Sequence, residues 1–207
     1  MAEKARYETA LIYDILDEAR FCHVSAVVKG RAVALPTLHA RDGDRLYLHG
    51  SVSNAVLRAV VDVGEACVTA TLYDGLRLAR SGFESSVAYR SVVVFGAAHE
   101  VSDSGEKRRL LDKFVDAILP GRSTEVRPMT EREERLTLMV EVRIDEASAK
   151  VSRGPTDDPS GDTVLPIWSG VIPASVRFAE PVPSTDGAMG RGDIGLPDSV
   201  RRLLDGQ

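Results

Sequence analysis

Residues 21–50, FCHVSAVVKGRAVALPTLHARDGDRLYLHG, leave the chain few folds to choose from. Lys29-Gly30 separates two runs rich in β-branched residues. Asp42-Gly43 precedes a third run, in which Leu46 and Leu48 alternate with Tyr47 and His49. Both dipeptides are hairpin signals. Three consecutive strands joined by tight turns form an antiparallel meander, and everything else in the chain has to pack around it.

The remaining periodicities supply those partners. Tyr7, Leu11, Ile12, Ile15, Leu16 and Ala19 make the stripe of an amphipathic helix over 7–19. Residues 54–61 read as a short helix with Val56, Leu57 and Val60 buried. EACVTATLY is a strand with Asp74-Gly75 as its turn, and LRLARSGF fits strand or loop. YRSVVVFGAAHEV is the strongest strand, with Gly96 marking a bulge. SGEKRRLLDKFVDAIL is a helix stopped by Pro120-Gly121, EREE falls on an exposed helix, and strands follow at 136–144 and 148–152. This order predicts a mainly β, α+β fold: a six-stranded antiparallel barrel with helices packed on its outside. Residues 1–180 are read as one domain and 181–207 as a Pro/Gly-rich tail with a short helix at 199–204.

Composition narrows the function. The net charge is −5, and no basic stripe interleaved with aromatics occurs, so nucleic acid is not an expected partner. Lys107-Arg108-Arg109 sits among acids as a solvated helix face. Cys22 and Cys67 lie in apolar runs outside any CxxC and are read as reduced core residues. The acid-bearing N-terminal stretch is not a signal peptide, and no window reaches the ~20 apolar residues of a membrane span, so a cytoplasmic location without membrane contact is expected.

Four clusters could carry chemistry. His49, Gly50, Ser51, Ser53 and Asn54 gather where a strand meets a helix N-terminus, a place that exposes free N–H groups and often takes phosphate. Ordinary helix capping by a serine accounts for the same residues. Pro36 and Thr37 stand in a strand where proline cannot join a ladder, which marks an edge or bulge. Tyr89, Arg90 and Ser91 open the strongest strand, and a forked arginine there would complete a phosphate site. Trp168, the only tryptophan, sits in an apolar island, LPIWSGVIP, and reads as core or as a cover for a flat ligand. There is no Ser/His/Asp arrangement, and the four histidines lack zinc-ligand spacing.

In order along the chain, ILDEARFCHVSAV, ALPTLHARDGDRLYLHGS, YRSVVVFGAAHEV, EASAKVSRG and LPIWSGVIP resemble the pyridoxamine 5′-phosphate oxidase-like, FMN-binding split β-barrel family, in its nitroimidazole-resistance-related branch. The resemblance implies FMN as cofactor and a homodimer with two sites at the subunit interface. Each site would draw on Pro36, Thr37, His49, Gly50, Ser51, Asn54, Tyr89, Arg90, Ser91 and Trp168, with His49 in the catalytic role. It implies an FMN-dependent oxidoreductase acting on a small organic molecule, nitro-aromatics included. Barrels of this type also bind haem or deazaflavin, with His49 or His39 as an axial ligand in the haem case, and the alternative is a non-catalytic binding or sensing protein of that kind. Asn54 stands where relatives commonly have a lysine or arginine, and Glu84 and Ala88 where they show a histidine and an asparagine.

Overall fold

Arg31–Thr37 and His39–Asp42 form two strands separated only by Leu38, and this bend organises the whole molecule. The structure is a computed structural model that describes residues 5–184 and 195–206. The elements are β1 (Ala5–Arg6), α1 (Thr9–Glu18), β2 (Cys22–Val28), β3 (Arg31–Thr37), β4 (His39–Asp42), β5 (Arg45–Ser51), α2 (Ala55–Val63), β6 (Glu65–Leu78) and β7 (Ser86–Glu100). Then come α3 (Ser104–Ile118), a 3-10 turn (Arg122–Glu125), α4 (Glu131–Leu136), β8 (Thr137–Arg143), β9 (Glu146–Ser152), β10 (Gly170–Pro173) and α5 (Asp198–Asp205).

The strands share one antiparallel sheet with the path β3-β2-β6-β7-β8-β5-β4, while β9 lies on β7, β1 on β9 and β10 on β6. The two ends of that path, β3 and β4, are pieces of one bent strand, so the sheet returns on itself at Leu38. β8 and β9 are likewise one strand interrupted at Ile144-Asp145. With these pairs each taken as one strand and the marginal β1 and β10 set aside, the described strands give the split barrel of six that the sequence implies.

Two bulges bend it. Between the Ala98–Val142 and Phe95–Glu146 pairs, two residues of β7 face three of the β8–β9 strand. Gly96 is required there, because a Cβ would lie 1.8 Å from the Arg143 carbonyl oxygen. Asp145 Oδ2 accepts the Ala97 N–H at 2.9 Å and fills the gap in the ladder. The second bulge corrects a sequence expectation. Asp74-Gly75 is not a hairpin turn: β6 runs on to Leu78, and the register shift between Tyr73 and Gly75 extrudes Asp74. A bulge with a positive-φ glycine uses the same residue types as a tight turn.

The core has two layers. Inside the barrel Val24, Leu46, Leu48, Val68, Val92, Val94 and Val140 pack with Ile15 and Leu16 of α1 and Leu57 of α2. Outside it Ala40, Tyr47 and Met139 pack under Leu110, Leu111 and Phe114 of α3. β5 is therefore covered on both faces. Of the two cysteines, Cys22 is buried, with its thiol pushed up to about 12 by burial, and Cys67 is half-buried; both are free. The helix expected at 199–204 is α5, and it docks on the body: the Ser199 N–H donates to Glu125 Oε1 at 2.9 Å. No described helix is long and apolar enough to cross a membrane.

Candidate functional site

The strand-to-helix turn after β5 settles its own hydrogen bonds. Asn54 is the N-cap of α2, and its Oδ1 accepts from the backbone N–H of Val56 and of Leu57, both at 3.1 Å. Ser51 Oγ takes the Ser53 N–H at 3.3 Å and pairs with Ser53 Oγ at 2.9 Å. Arg58, the nearest cation, donates through Nε to the Val52 carbonyl and through Nη1 to Glu100. Gly50 is needed for packing, since a Cβ there would meet Leu57 Cδ1 at 3.0 Å. The donors gathered in sequence serve the cap.

His49 points the way alternation predicts, opposite Leu46 and Leu48, but that face is covered by α3. Its ring meets Phe114 edge-on, centroids 4.4 Å apart, and its Nδ1 is buried without a partner. Burial lowers its pKa, so the neutral imidazole is favoured.

Arg90 finds its partners within the chain. Its guanidinium donates to both carboxylate oxygens of the bulged Asp74, through Nε and Nη2, and to Glu18 at the end of α1. Arg153 adds a further bond to Asp74. The Arg90 bonds hold the Asp74 carboxyl down at about 2, with the Arg153 bond reinforcing them. The arginine fork is thus occupied by carboxylates. Beside it Tyr89 lies under the Lys150 ammonium, and Ser91 pairs with Thr71 and Lys150.

Pro36 and Thr37 pair with His23 and Cys22 on β3, the sheet-path edge where a missing N–H breaks no ladder. From Thr37 the row runs across Cys22 and Ala70 to Val92, so Ser91 lies about three strand spacings, roughly 14 Å, away. The Ser51 turn is set apart from Arg90 along β7. Val101 bonds Met139, the partner of His49, and it is eleven residues beyond Arg90, a contour of about 36 Å. Trp168 is 64% exposed and lies over Gly170 at the start of β10. Its neighbour Ser169 is held by Arg80 at 2.7 Å. Around it Leu165, Ile167, Val171, Ile172, Tyr73 and Leu76 are also exposed. Within one chain, then, Tyr89, Arg90 and Ser91 lie apart from the Pro36–Thr37 edge and from the Ser51 turn.

A wide concavity lies elsewhere. A cleft of about 920 Å³ opens between the end of α1, β4, the C-terminal half of α3 and the C-terminal segment. Phe21, Ile118, Leu119, Phe178 and Leu203 contribute apolar wall, and Arg20, Arg41 and Lys113 stand among its lining with Asp17, Glu18 and Asp116. That volume and lining suit an organic cofactor. His39 sits in the wall, 6% exposed. Its Nε2 is 2.7 Å from the Leu16 carbonyl, and its Nδ1 is buried with no partner. Desolvation lowers its pKa against the opposing pull of the Leu16 carbonyl. Among the described residues no group of three or more His, Cys, Asp or Glu side chains is placed to hold a metal ion by themselves. The sequence shows His39 but not this cleft, whose walls come from residues 16–21, 38–41, 113–120, 178 and 203.

A barrel of six antiparallel strands bent at two shared strands, with helices outside, is the split barrel of flavin-binding proteins. The chain belongs to the pyridoxamine 5′-phosphate oxidase family, whose profile matches residues 8–151. Two solved structures are similar over nearly its whole length. One is the flavocytochrome Anf3 from Azotobacter vinelandii: 33% identity, 97% of this chain and 92% of that one, TM-score 0.89. The other is the FAD and haem binding protein from Mycobacterium smegmatis: 36% identity, 97% of each chain, TM-score 0.89. A Bacteroides thetaiotaomicron protein described as a 5-nitroimidazole antibiotic resistance protein shares the fold at 21% identity, over 71% of this chain and 86% of that one, TM-score 0.60. No curated protein matches the chain.

Proposed function

We propose that the protein is a flavin- and haem-binding redox protein, assembled as a homodimer with the flavin at the subunit interface. The observation that carries this is the likeness, above 30% identity across 97% of the chain, to one protein named as a flavocytochrome and one named for FAD and haem. The flavin implied by the sequence resemblance is FMN. The 36%-identical neighbour is named for FAD, and FAD is the form proposed here.

A site shared between two copies accounts for the dispersal of the candidates. Pro36 and Thr37 on the β3 edge, Tyr89 and Ser91 on β7, and Trp168 beside β10 do not converge in one chain, but a second copy can bring them together. The exposed apolar surface around Trp168 supports such a contact, because isolated chains rarely leave a patch of this kind bare. The flavin supplies the electron and hydride chemistry. The chain contributes apolar walls that exclude water and polar groups that orient the rings. A small organic substrate, nitro-aromatics included, remains the proposed electron acceptor or donor.

Mass spectrometry of the small molecules released from protein made in haem-supplied cells tests the reading. FAD and haem are the expected masses. FMN in place of FAD would correct the flavin, and a preparation with neither mass would overturn the proposal.

A further inference from the structure

We infer that the cleft between α1, β4, α3 and the C-terminal segment binds a neutral, ring-bearing organic molecule, additional to the flavin and haem of the proposed function. The inference rests on how the cleft spends its charges. Arg41 donates through Nε to Asp17 at 2.8 Å and through Nη1 to the Gly43 carbonyl. Lys113 pairs with Asp42 at 3.0 Å, and Glu18 accepts from Arg90 at 2.7 Å. Asp116 takes the N–H and the hydroxyl of Ser123 at 2.9 and 2.8 Å. Arg20 donates at 2.7 Å to the carbonyl of Ile118, the last residue of α3, where the helix end favours a cation. The Nε2 of His39 is engaged by the Leu16 carbonyl and its Nδ1 is buried, so the cleft presents no imidazole nitrogen to a metal.

Every ionisable side chain of the lining thus has its partner within the chain. A charged ligand would leave water and find no counter-ion waiting, which costs far more than transferring a neutral molecule. What the chain leaves uncovered here is apolar. Phe21, Ile118 and Phe178 are 62%, 49% and 40% exposed, and Leu203 of α5 completes the wall. Large apolar side chains left bare together mark a binding surface. The two phenyl rings give a ring system face and edge contacts, and about 920 Å³ suits one organic molecule.

The walls are held in place without the ligand. The Arg20 guanidinium lies over the Phe178 ring, 5.1 Å from its centroid, while bonded to Ile118, so one side chain joins three walls. On the far side α5 buries only Ser199, whose N–H donates to Glu125 Oε1 at 2.9 Å and whose hydroxyl donates to Glu125 Oε2. A helix docked through a serine instead of an apolar stripe stands as a wall without filling the space beside it.

The test uses the full-length protein with its cofactors and two fluorescent probes of one skeleton. N-phenyl-1-naphthylamine is neutral, and anilinonaphthalenesulfonate is the same ring system bearing a sulfonate. The neutral probe is expected to bind on the order of ten-fold more tightly than the sulfonate. Ile118→Asp sets a carboxylate in the wall and should weaken the neutral probe on the order of ten-fold with flavin content unchanged. Phe21→Ser gives the same readout at a more exposed position if Ile118→Asp does not fold. Sulfonate binding as tight as that of the neutral probe overturns the inference, as does wild-type affinity for the neutral probe in the folded variants. A neutral probe that binds only after haem is stripped also overturns it, because haem then fills the cleft, and the proposed function stands. Protein that holds neither flavin nor haem yet binds the neutral probe as expected overturns the proposed function and leaves this site standing.

Discussion

The turn after β5 and the cleft behind β4 are both approached by a histidine on an adjacent strand, yet they spend their polar groups in opposite ways. In the turn, Ser51, Ser53 and Asn54 answer one another and the helix N-terminus, and the nearby Arg58 is taken by Val52 and Glu100. In the cleft, charged groups of both signs stand along a wide apolar wall that nothing in the chain covers, while each histidine keeps one buried nitrogen unanswered. Polar residues close in sequence are close enough to satisfy each other. A binding site shows itself by what is left over.

The contrast can be broken most forcefully at Arg90. If it is a structural clamp, Arg90→Ala leaves the Asp74 carboxylate, 17% exposed, with Arg153 as its remaining cation and should cost about 2 kcal/mol in denaturant unfolding. The loss of flavin affinity should then be equal for riboflavin and its phosphorylated forms; a loss confined to the latter would restore the arginine to a phosphate site.

Acid attacks the same clamp. Asp74 faces Arg90 and Arg153, with Glu18 sharing Arg90, and its folded pKa is depressed to about 2 from 3.8. A depressed carboxylate contributes stability above its unfolded pKa and loses it as pH falls through the folded one. About 2 kcal/mol should therefore disappear between pH ~4 and pH ~2. Unfolding curves for Asp74→Asn should show a weaker slope in that window; the same slope as wild type would assign the acid sensitivity to other groups.

Asn54→Ala sharpens the comparison from the turn. Removing a cap that receives two N–H groups should cost about 1 kcal/mol with cofactor content unaltered. A large fall in bound flavin at undiminished stability would make the turn a binding site after all. Ile118→Ser tests the cleft in the reverse sense. The side chain is half exposed, so thermal stability should shift by no more than about 0.5 kcal/mol while binding of any organic ligand in the cleft weakens.

These contrasts also explain what could be read from the sequence. The meander, the bulge at Gly96 and the faces of α1, α2 and α3 follow from local periodicity, and the structure has them where the pattern put them. Asp74-Gly75 was ambiguous because a turn and a bulge ask the same of a backbone. The burial of Tyr47 and His49 was hidden, since alternation shows that two faces differ but not that α3 covers the second. The cleft was out of reach for a different reason: Leu16, His39, Ile118 and Leu203 are brought together by folding across the length of the chain, and no window contains them. Arg90 stood out as a cation at a strand start, and only the extrusion of Asp74 by a one-residue bulge reveals what it holds.

The bend at Leu38 has an evolutionary consequence. The segment that closes the barrel delivers His39 one residue later, in register with Leu48 on the inward side. Strand faces alternate, so inserting or deleting a single residue at the bend would turn His39 toward α3 and Ala40 toward α1. A lineage cannot drift through that change gradually. Substitutions can retune Phe21, Ile118 or Leu203 one at a time, but the placement of the imidazole is inherited with the closure of the barrel itself, and only a descendant that rebuilt both could move it.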